Sequence, residues 1–255
     1  MSDLALTARE IRFANKIFWR NPPAVFFTFA FPLMFLAIFN LFGDEGTPTR
    51  SDVAGSTFFV PAIVAFSLIS ACYTNIAITL CFLRDEGVLK RMRGTPLPAW
   101  VYMTGRIVHA MAIGLLLVAI TVAAGALFYD VEVPTTTMPA FITTIVVGAG
   151  AFAALGLATT PAVPNAEASP AVVNGLILPL LFVSDVFFPL SDPPAWLDVV
   201  TNIFPVRHLS EALQVAFNPF TTGAGFSWDN LAVLALWGVA GAAIAARFFT
   251  WEPRR

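Results

Sequence analysis

Charged side chains are scarce in this 255-residue chain, and their scarcity excludes more than any motif does. Asp, Glu, Lys and Arg together make up 12% of it, about half the roughly 25% of an average soluble domain. A soluble fold of this length has no interior large enough for 58% hydrophobic residues, 25 of them phenylalanine, so part of that surface must face lipid. Lysine is rarer still. Lys16 and Lys90 are the two lysines, and they follow Asn15 and Leu89 rather than glycine. A phosphate-binding loop needs Gly-Lys-Ser/Thr, so that backbone amides and an ammonium group cradle the phosphates; none is encoded. Histidine is limited to His109 and His208, far apart and without an HExxH spacing. An intramembrane protease, the competing enzymatic reading, would need such ligands or a Ser–His dyad inside the spans. The two cysteines, Cys72 and Cys81, share one apolar stretch with no CxxC and no nearby histidine. That excludes a disulfide framework or a zinc site and leaves both as membrane-core residues. A net charge of −2 makes no case for nucleic acid as a partner.

What the chain does have is long apolar runs, with a mean hydropathy of +0.78. A bilayer core about 30 Å thick is crossed by about 20 apolar residues in a helix. Six runs meet that length, at 24–42, 58–82, 107–129, 140–160, 171–190 and 231–251. They are continuous rather than alternating, which favours helices over barrel strands. The expected fold class is therefore an all-α polytopic membrane protein with six transmembrane helices. Pro32, Pro61 and Pro179 fall inside runs and should kink them. The first run starts after Pro23, exceeds a signal-peptide core in length and is followed by no A-x-A site, so it reads as a retained span.

The basic residues set the expected orientation. Arg9, Arg12, Lys16 and Arg20 precede the first run, Arg84, Lys90, Arg91, Arg93 and Arg106 lie between the second and third, and Arg247, Arg254 and Arg255 end the chain. Only Arg50 and Arg207 fall on the other side. Both termini are thus expected in the cytoplasm, with the loop around Glu167 placed inside by alternation alone. Small residues stripe the fourth run (Gly148, Gly150, Ala154, Gly156) and the sixth (Gly238, Gly241, Ala242, Ala245). Such stripes let helix backbones approach closely in lipid, and intramolecular packing is the expected use.

Two cytoplasmic segments carry more pattern than topology requires. Residues 1–22 form an amphipathic helix at 100° per residue, with Arg9, Arg12, Lys16 and Arg20 on one stripe; such a helix lies along the membrane surface. The second is Arg84-Asp85-Glu86-Gly87-Val88-Leu89-Lys90-Arg91-Met92-Arg93-Gly94, followed by Thr95-Pro96. Gly94 and Pro96 are helix-stop signals. Val88, Leu89 and Met92 would share one face of a short helix and offer an apolar knob to another protein.

The stretch from Glu86 to Leu97 (EGVLKRMRGTPL) resembles the E-x-G-x-L-K/R-R-L/M-R-x-T-P-L loop of ABC-2 type transporter permeases. The basic N-terminal helix, the first span opening Asn21-Pro22-Pro23 with Phe31-Pro32-Leu33, and Pro194-Ala195-Trp196-Leu197 with Asn202-Ile203-Phe204-Pro205 before the last span are similar to that family too. The drug-resistance branch of daunorubicin-type exporters is the closest in flavour. The resemblance implies a bacterial plasma-membrane permease subunit that pairs with a second copy, or with a paralogous permease, and with two copies of a separate ABC ATP-binding subunit. ATP and Mg would be bound by that partner, with no cofactor or metal in this chain. Residues 84–94 would be the coupling helix, 1–22 the interfacial helix, 23–255 the transmembrane domain, and 193–220 short re-entrant extracellular helices capping the exit. Arg207-His208 departs from the more hydrophobic continuation expected there. The implied substrate is an amphipathic drug or lipid moved by alternating access, against the alternative of a polysaccharide or glycolipid precursor, which would want a wider polar tunnel. Candidate pathway residues are Phe26, Phe29, Phe31 and Phe35 on the first span, Asn75 and Thr79 on the second, and Asn174 and Asp185 on the fifth.

Overall fold

A computed structural model describes residues 3–42, 55–129, 131–184, 186, 194–218, 220–221 and 223–252. Among them every regular element is helical. Helix α1 (Asp3–Trp19) carries an acidic residue in its first turn and Lys16 in its last, both favourable to the helix dipole. Its inward face follows the 3.6 period: Leu6, Glu10, Ala14, Ile17 and Phe18 turn toward the protein, with Ala14 and Phe18 buried, while Arg9, Arg12, Lys16 and Arg20 stay exposed. The paired prolines that open α2 (Pro22–Phe42) suit a helix start and forbid a continuous helix from α1.

The second apolar run folds as α3 (Gly55–Ile69), a π-helical turn at Ser70–Thr74, and α4 (Asn75–Asp85). It is the most enclosed crossing of the molecule. The π turn is held from two sides. A methyl group on Gly114 of α6 (Ala99–Phe128) would stand 3.0 Å from Cys72 Sγ. One on Gly156 of α7 (Met138–Thr159) would stand 2.8 Å from the Tyr73 carbonyl oxygen. The Thr159 hydroxyl donates to Tyr73 Oη at 3.3 Å. Both cysteines are buried and free.

After α7 come a 3-10 turn (Thr160–Ala162), α8 (Ser169–Val183), α9 (Ala195–Ile203), α10 (Pro205–Phe217) and α11 (Trp228–Phe248). Between Asp85 and Ala99 sits α5 (Val88–Arg93). Helices α7 and α11 pack backbone to backbone: a methyl on Gly241 would meet Leu155 N at 3.0 Å, and one on Gly238 would meet Ala151 Cα at 3.2 Å. This is the expected intramolecular use of the small-residue stripes, although Ala242 is exposed and nothing lies within 4 Å of a methyl at Gly150.

Among the described residues, five helices are long and apolar enough to cross a membrane: Pro22–Phe39, Phe58–Asp85, Ala99–Phe128, Met138–Ala162 and Trp228–Phe248. The expected fifth span, 171–190, appears as α8, whose 15 residues rise only about 22 Å, short of the bilayer core. The rest of that run falls mostly outside the described residues. Helix α6 starts eight residues before the expected third span, taking Trp100, Tyr102 and Arg106 into its first turns. The helices continue through Pro32, Pro61 and Pro179.

Candidate functional site

The joint between α4 and α5 is built on one glycine. Gly87 adopts φ +70°, a left-handed conformation that a Cβ makes costly, and its amide donates to the Arg84 carbonyl at 3.0 Å. The chain thereby ends one helix and starts another at an angle. The expected helix of 84–94 is thus divided. Arg84 and Asp85 belong to the last turn of α4, and α5 is six residues long.

Two sequence expectations change here. The apolar face of α5 is its anchor rather than its knob: Leu89 is 1% exposed and belongs to the core, and Met92 is packed against it. What α5 presents outward is cationic, with Lys90, Arg91 and Arg93 exposed; Arg93 approaches Glu252 at 3.5 Å. Glu86 is also exposed, while Gly87 and Val88 are half-buried. Arg84, expected to face a partner, is 1% exposed. Its Nη1 donates to the Thr160 carbonyl at 3.1 Å, its Nη2 to Val163 and Pro164 carbonyls at 3.0 and 3.3 Å, and its Nε to Asp85 at 3.1 Å. The second Asp85 oxygen accepts from the Ala166 amide. An arginine fork thus satisfies the Val163 and Pro164 carbonyls beyond α7 and adds a second donor to the Thr160 carbonyl, which also accepts from the Val163 amide. It ties the root of α5 to the corner leading into α8.

The interfacial helix lies beside this joint. A groove of about 880 Å³ runs between α1 and the α5–α6 link, lined by Arg9, Arg12 and Lys16 on one side and Met92 and Leu97 on the other. Helix α1 crosses α6 closely enough that a methyl on Gly105 would stand 2.8 Å from Glu10 Cβ. Burial raises the Glu10 carboxyl above its ordinary value, against the opposing pull of Arg106 and Arg9.

The pathway candidates divide between two cavities. One of about 390 Å³ lies between α2, the π turn and α8, lined by Phe27, Phe31, Phe66, Ser70, Thr74 and Asn174 among others. The other, about 80 Å³, lies between α1, α2, α4 and α6 and takes Asn75 and Thr79, together with Arg106 and His109. Phe35 sits among Phe31, Phe39 and Phe66. Phe29 stacks on Trp19 at 6.0 Å and pins the α1–α2 corner, while Phe26 is outward. Neither lines a described cavity. Asp185 lies outside the described residues, and Arg207 has described partners of its own.

Those partners explain the Arg207-His208 departure. Arg207 bridges Asp198 of α9 and Glu211 of α10, the latter at 2.7 Å, and donates to Thr201 at 2.9 Å. Burial lowers its affinity for the proton, but hydrogen bonds to Asp198 and Glu211 raise it on balance. His208 Nδ1 contacts Asn230 Oδ1, and its Nε2 contacts the Asn202 carbonyl at 2.9 Å. The pair is a clasp holding α9 and α10 to the start of α11. Helix α10 is not a loose cover. Leu209, Leu213 and Phe217 are buried in the core, and Gln214 donates to the Phe58 carbonyl at 3.1 Å. Sequence reading missed the clasp because Asp198, Glu211 and Asn230 are separated by loops. The i, i+4 spacing of Arg207 and Glu211 was the available signal.

Comparison with known proteins agrees with this architecture. Residues 4–218 match the family described as ABC-2 type transporter. The chain is similar to the probable multidrug ABC transporter permease YbhR of Escherichia coli K12, 21% identical over 192 residues that cover 75% of this chain and 52% of that protein. It therefore spans about half the length of that relative. It is also similar to the inner membrane transport permease YadH of the same organism, 22% identical over 218 residues, 84% of this chain and 81% of that one. Five membrane-length helices among the described residues, a short cationic helix set on a glycine joint, and a match over most of the chain lead to one assignment: the protein is a multi-pass membrane protein of the ABC-2 type transporter permease family.

Proposed function

We propose that this chain is the membrane half of an ATP-driven exporter of the bacterial plasma membrane, working with a second permease copy and two copies of a separate ATP-binding subunit that hold ATP and Mg. The observation that carries the proposal is the mounting of α5. Its cations face outward while Leu89 sits in the core and Arg84 locks its root to the α7–α8 corner. A partner that grips Lys90 and Arg91 therefore pulls on α4, α7 and α8 together.

Charge distribution supports a cytoplasmic location for that end. Arg9, Arg12, Lys16, Lys90, Arg91 and Arg93 are exposed around one end of the bundle, whereas Arg207 at the other is matched by two carboxylates, a positive-inside distribution. Six crossings are supported by continuity. Trp251 packs on Tyr102 at 5.6 Å, beside the helix that α1 crosses, so both described ends share one side. Helix α8 starts at the Arg84 corner, and α9 resumes against α10, where Gln214 meets the opposite end of the second crossing.

The substrate class we favour is an amphipathic drug or lipid, as in the drug-resistance branch. The 390 Å³ cavity combines Phe27, Phe31 and Phe66 with the hydroxyls of Ser70 and Thr74 and the Asn174 amide, a mostly apolar lining with few polar anchors. A glycan would need more hydrogen-bonding side chains than that. The test is charge reversal of α5 in the complex. Lys90→Glu with Arg91→Glu should abolish copurification of the ATP-binding subunit and substrate-stimulated ATP hydrolysis, with membrane insertion intact. Normal copurification and export by that variant would reject the coupling assignment.

A further inference from the structure

The 80 Å³ cavity has a chemistry that coupling does not use. Its wall comes from the last turns of α1 (Ala14, Ile17, Phe18), from the α1–α2 corner, from α4 and from α6, and its polar side chains are Asn21, Asn75, Thr79, Arg106 and His109. The volume is several times what a single water needs, enough for a tetrahedral oxyanion. Arg106 is the charged group. It is 9% exposed, its Nε donates to Tyr102 Oη at 3.2 Å, and its guanidinium lies 5.4 Å from the Tyr102 ring centre. Among the described residues no carboxylate comes within ion-pairing distance of it; the nearest acidic influence is Glu10. A buried cation without an ion pair is costly, so a bound anion would stabilise it.

The remaining lining supplies donors of the same kind. Asn75 Oδ1 accepts from the Thr79 hydroxyl at 3.3 Å, and Asn21 Oδ1 accepts from the Ala24 amide at 3.4 Å. Each interaction uses the amide oxygen and leaves the NH₂ as a donor. His109 holds its ring against Phe18 at 5.9 Å and can add one N–H. Arginine with two amides and an imidazole forms a donor set that suits phosphate oxygens. The setting is interfacial as well: Trp19 is half exposed beside it, its indole donating to Asn15 at 2.9 Å, and Trp is the side chain of membrane interfaces.

We infer that this cavity is a phosphate-binding site at the membrane surface, filled by the headgroup of an anionic phospholipid or by free phosphate, and that the bound group fastens the C-terminal turns of α1 to α4 and α6. The site would set how freely the interfacial helix moves, whatever the chain exports.

The test uses the full-length protein purified in a neutral detergent, with unfolding followed by tryptophan fluorescence. Phosphatidylglycerol and phosphatidylcholine are added at equal mole fraction, and inorganic phosphate is added in a separate arm. A saturating ligand should raise the midpoint by about 5 °C. A shift with phosphatidylglycerol alone assigns the site to lipid, a shift with phosphate alone to the free ion, and a shift with both to the shared phosphate group. Arg106→Gln should abolish the shift. Should that variant not fold, Asn75→Leu, close in size, removes a donor while keeping the arginine and should reduce the shift at least threefold in ligand concentration. Equal behaviour of the two lipids with no phosphate effect overturns the inference. So does an undiminished lipid-specific shift in both variants, which would move the effect to the exposed stripe of Arg9, Arg12 and Lys16.

Discussion

Two arginines sit at opposite ends of this bundle and are held in opposite ways. Arg84 is enclosed and spends its fork mainly on three backbone carbonyls, with Asp85 as its single carboxylate. Arg207 is 14% exposed and is held by two carboxylates and a hydroxyl. The first arrangement is a structural weld, because the buried guanidinium joins three carbonyls beyond α7 that a smaller side chain cannot reach together. The second is a clasp between α9 and α10 whose two carboxylates are themselves exposed, so solvent can replace a lost partner. The difference teaches where rigidity is placed: at the α4–α5 root, which must transmit force, more than at the α9–α10 pair.

That contrast can be broken most severely at Arg84. Arg84→Met should cost about 3–5 kcal/mol, since it strands buried carbonyls and Asp85 together. Folded yield and the denaturant midpoint in detergent would show it. Arg84→Lys should recover only part of the loss, because a single ammonium cannot span three carbonyls. If Arg84→Met unfolds no more readily than wild type, the weld is wrong.

Next comes Gly156→Val, whose methyls would press on the Tyr73 carbonyl at the π turn. A loss of about 1–3 kcal/mol is expected, read as a lower thermal midpoint, whereas the same change at Gly150, with open space around it, should be nearly neutral. Arg207→Gln should be milder than Arg84→Met, about 1–2 kcal/mol; an equal or larger loss would reverse the comparison between the two ends.

Leu89→Asp separates anchor from surface within α5 itself. Burying a carboxylate in the core should lower stability sharply, while Lys90→Glu should leave the midpoint within about 0.5 kcal/mol and act on partner binding alone. A Leu89→Asp protein as stable as wild type would restore the apolar-knob reading. The smallest effect concerns Glu10. Its carboxyl titrates above the ordinary 4.5 because burial disfavours the charged form. Its contribution to stability is therefore present below that pH and is lost as pH rises through the elevated value. Glu10→Gln should remove that component of the pH profile above pH 4.5, and an unchanged profile would assign the dependence elsewhere.

How much was legible in advance varies with the range of the interaction. The crossings at 24–42, 58–82, 107–129, 140–160 and 231–251 each contain enough contiguous apolar residues to be seen locally, and helices overlie all five. The stop of α5 was equally visible, in Gly94 and Pro96. The burial of Leu89 is not legible in periodicity, which identifies an apolar face without saying what covers it. Arg84 looked like one cation among five in a positive-inside loop. Only its distance from carbonyls some eighty residues onward separates it from Lys90. The π turn has no local signature either, since Ser70–Thr74 reads as ordinary apolar helix until Gly114 and Gly156 are seen against it.

By itself, then, the sequence determined the solvent this protein folds in, the helical class, the amphipathic character of α1 and the family resemblance of the Glu86–Leu97 stretch. These follow from hydrophobicity, period and short-range chemistry, which act between near neighbours in the chain. The tertiary structure alone decided that the α5 cations face out while Leu89 faces in, that Arg84 welds and Arg207 clasps, and that Asn75 and Asn174 serve different cavities. Those outcomes depend on which distant carbonyl, carboxylate or glycine arrives opposite a side chain, and that is settled only when the helices pack.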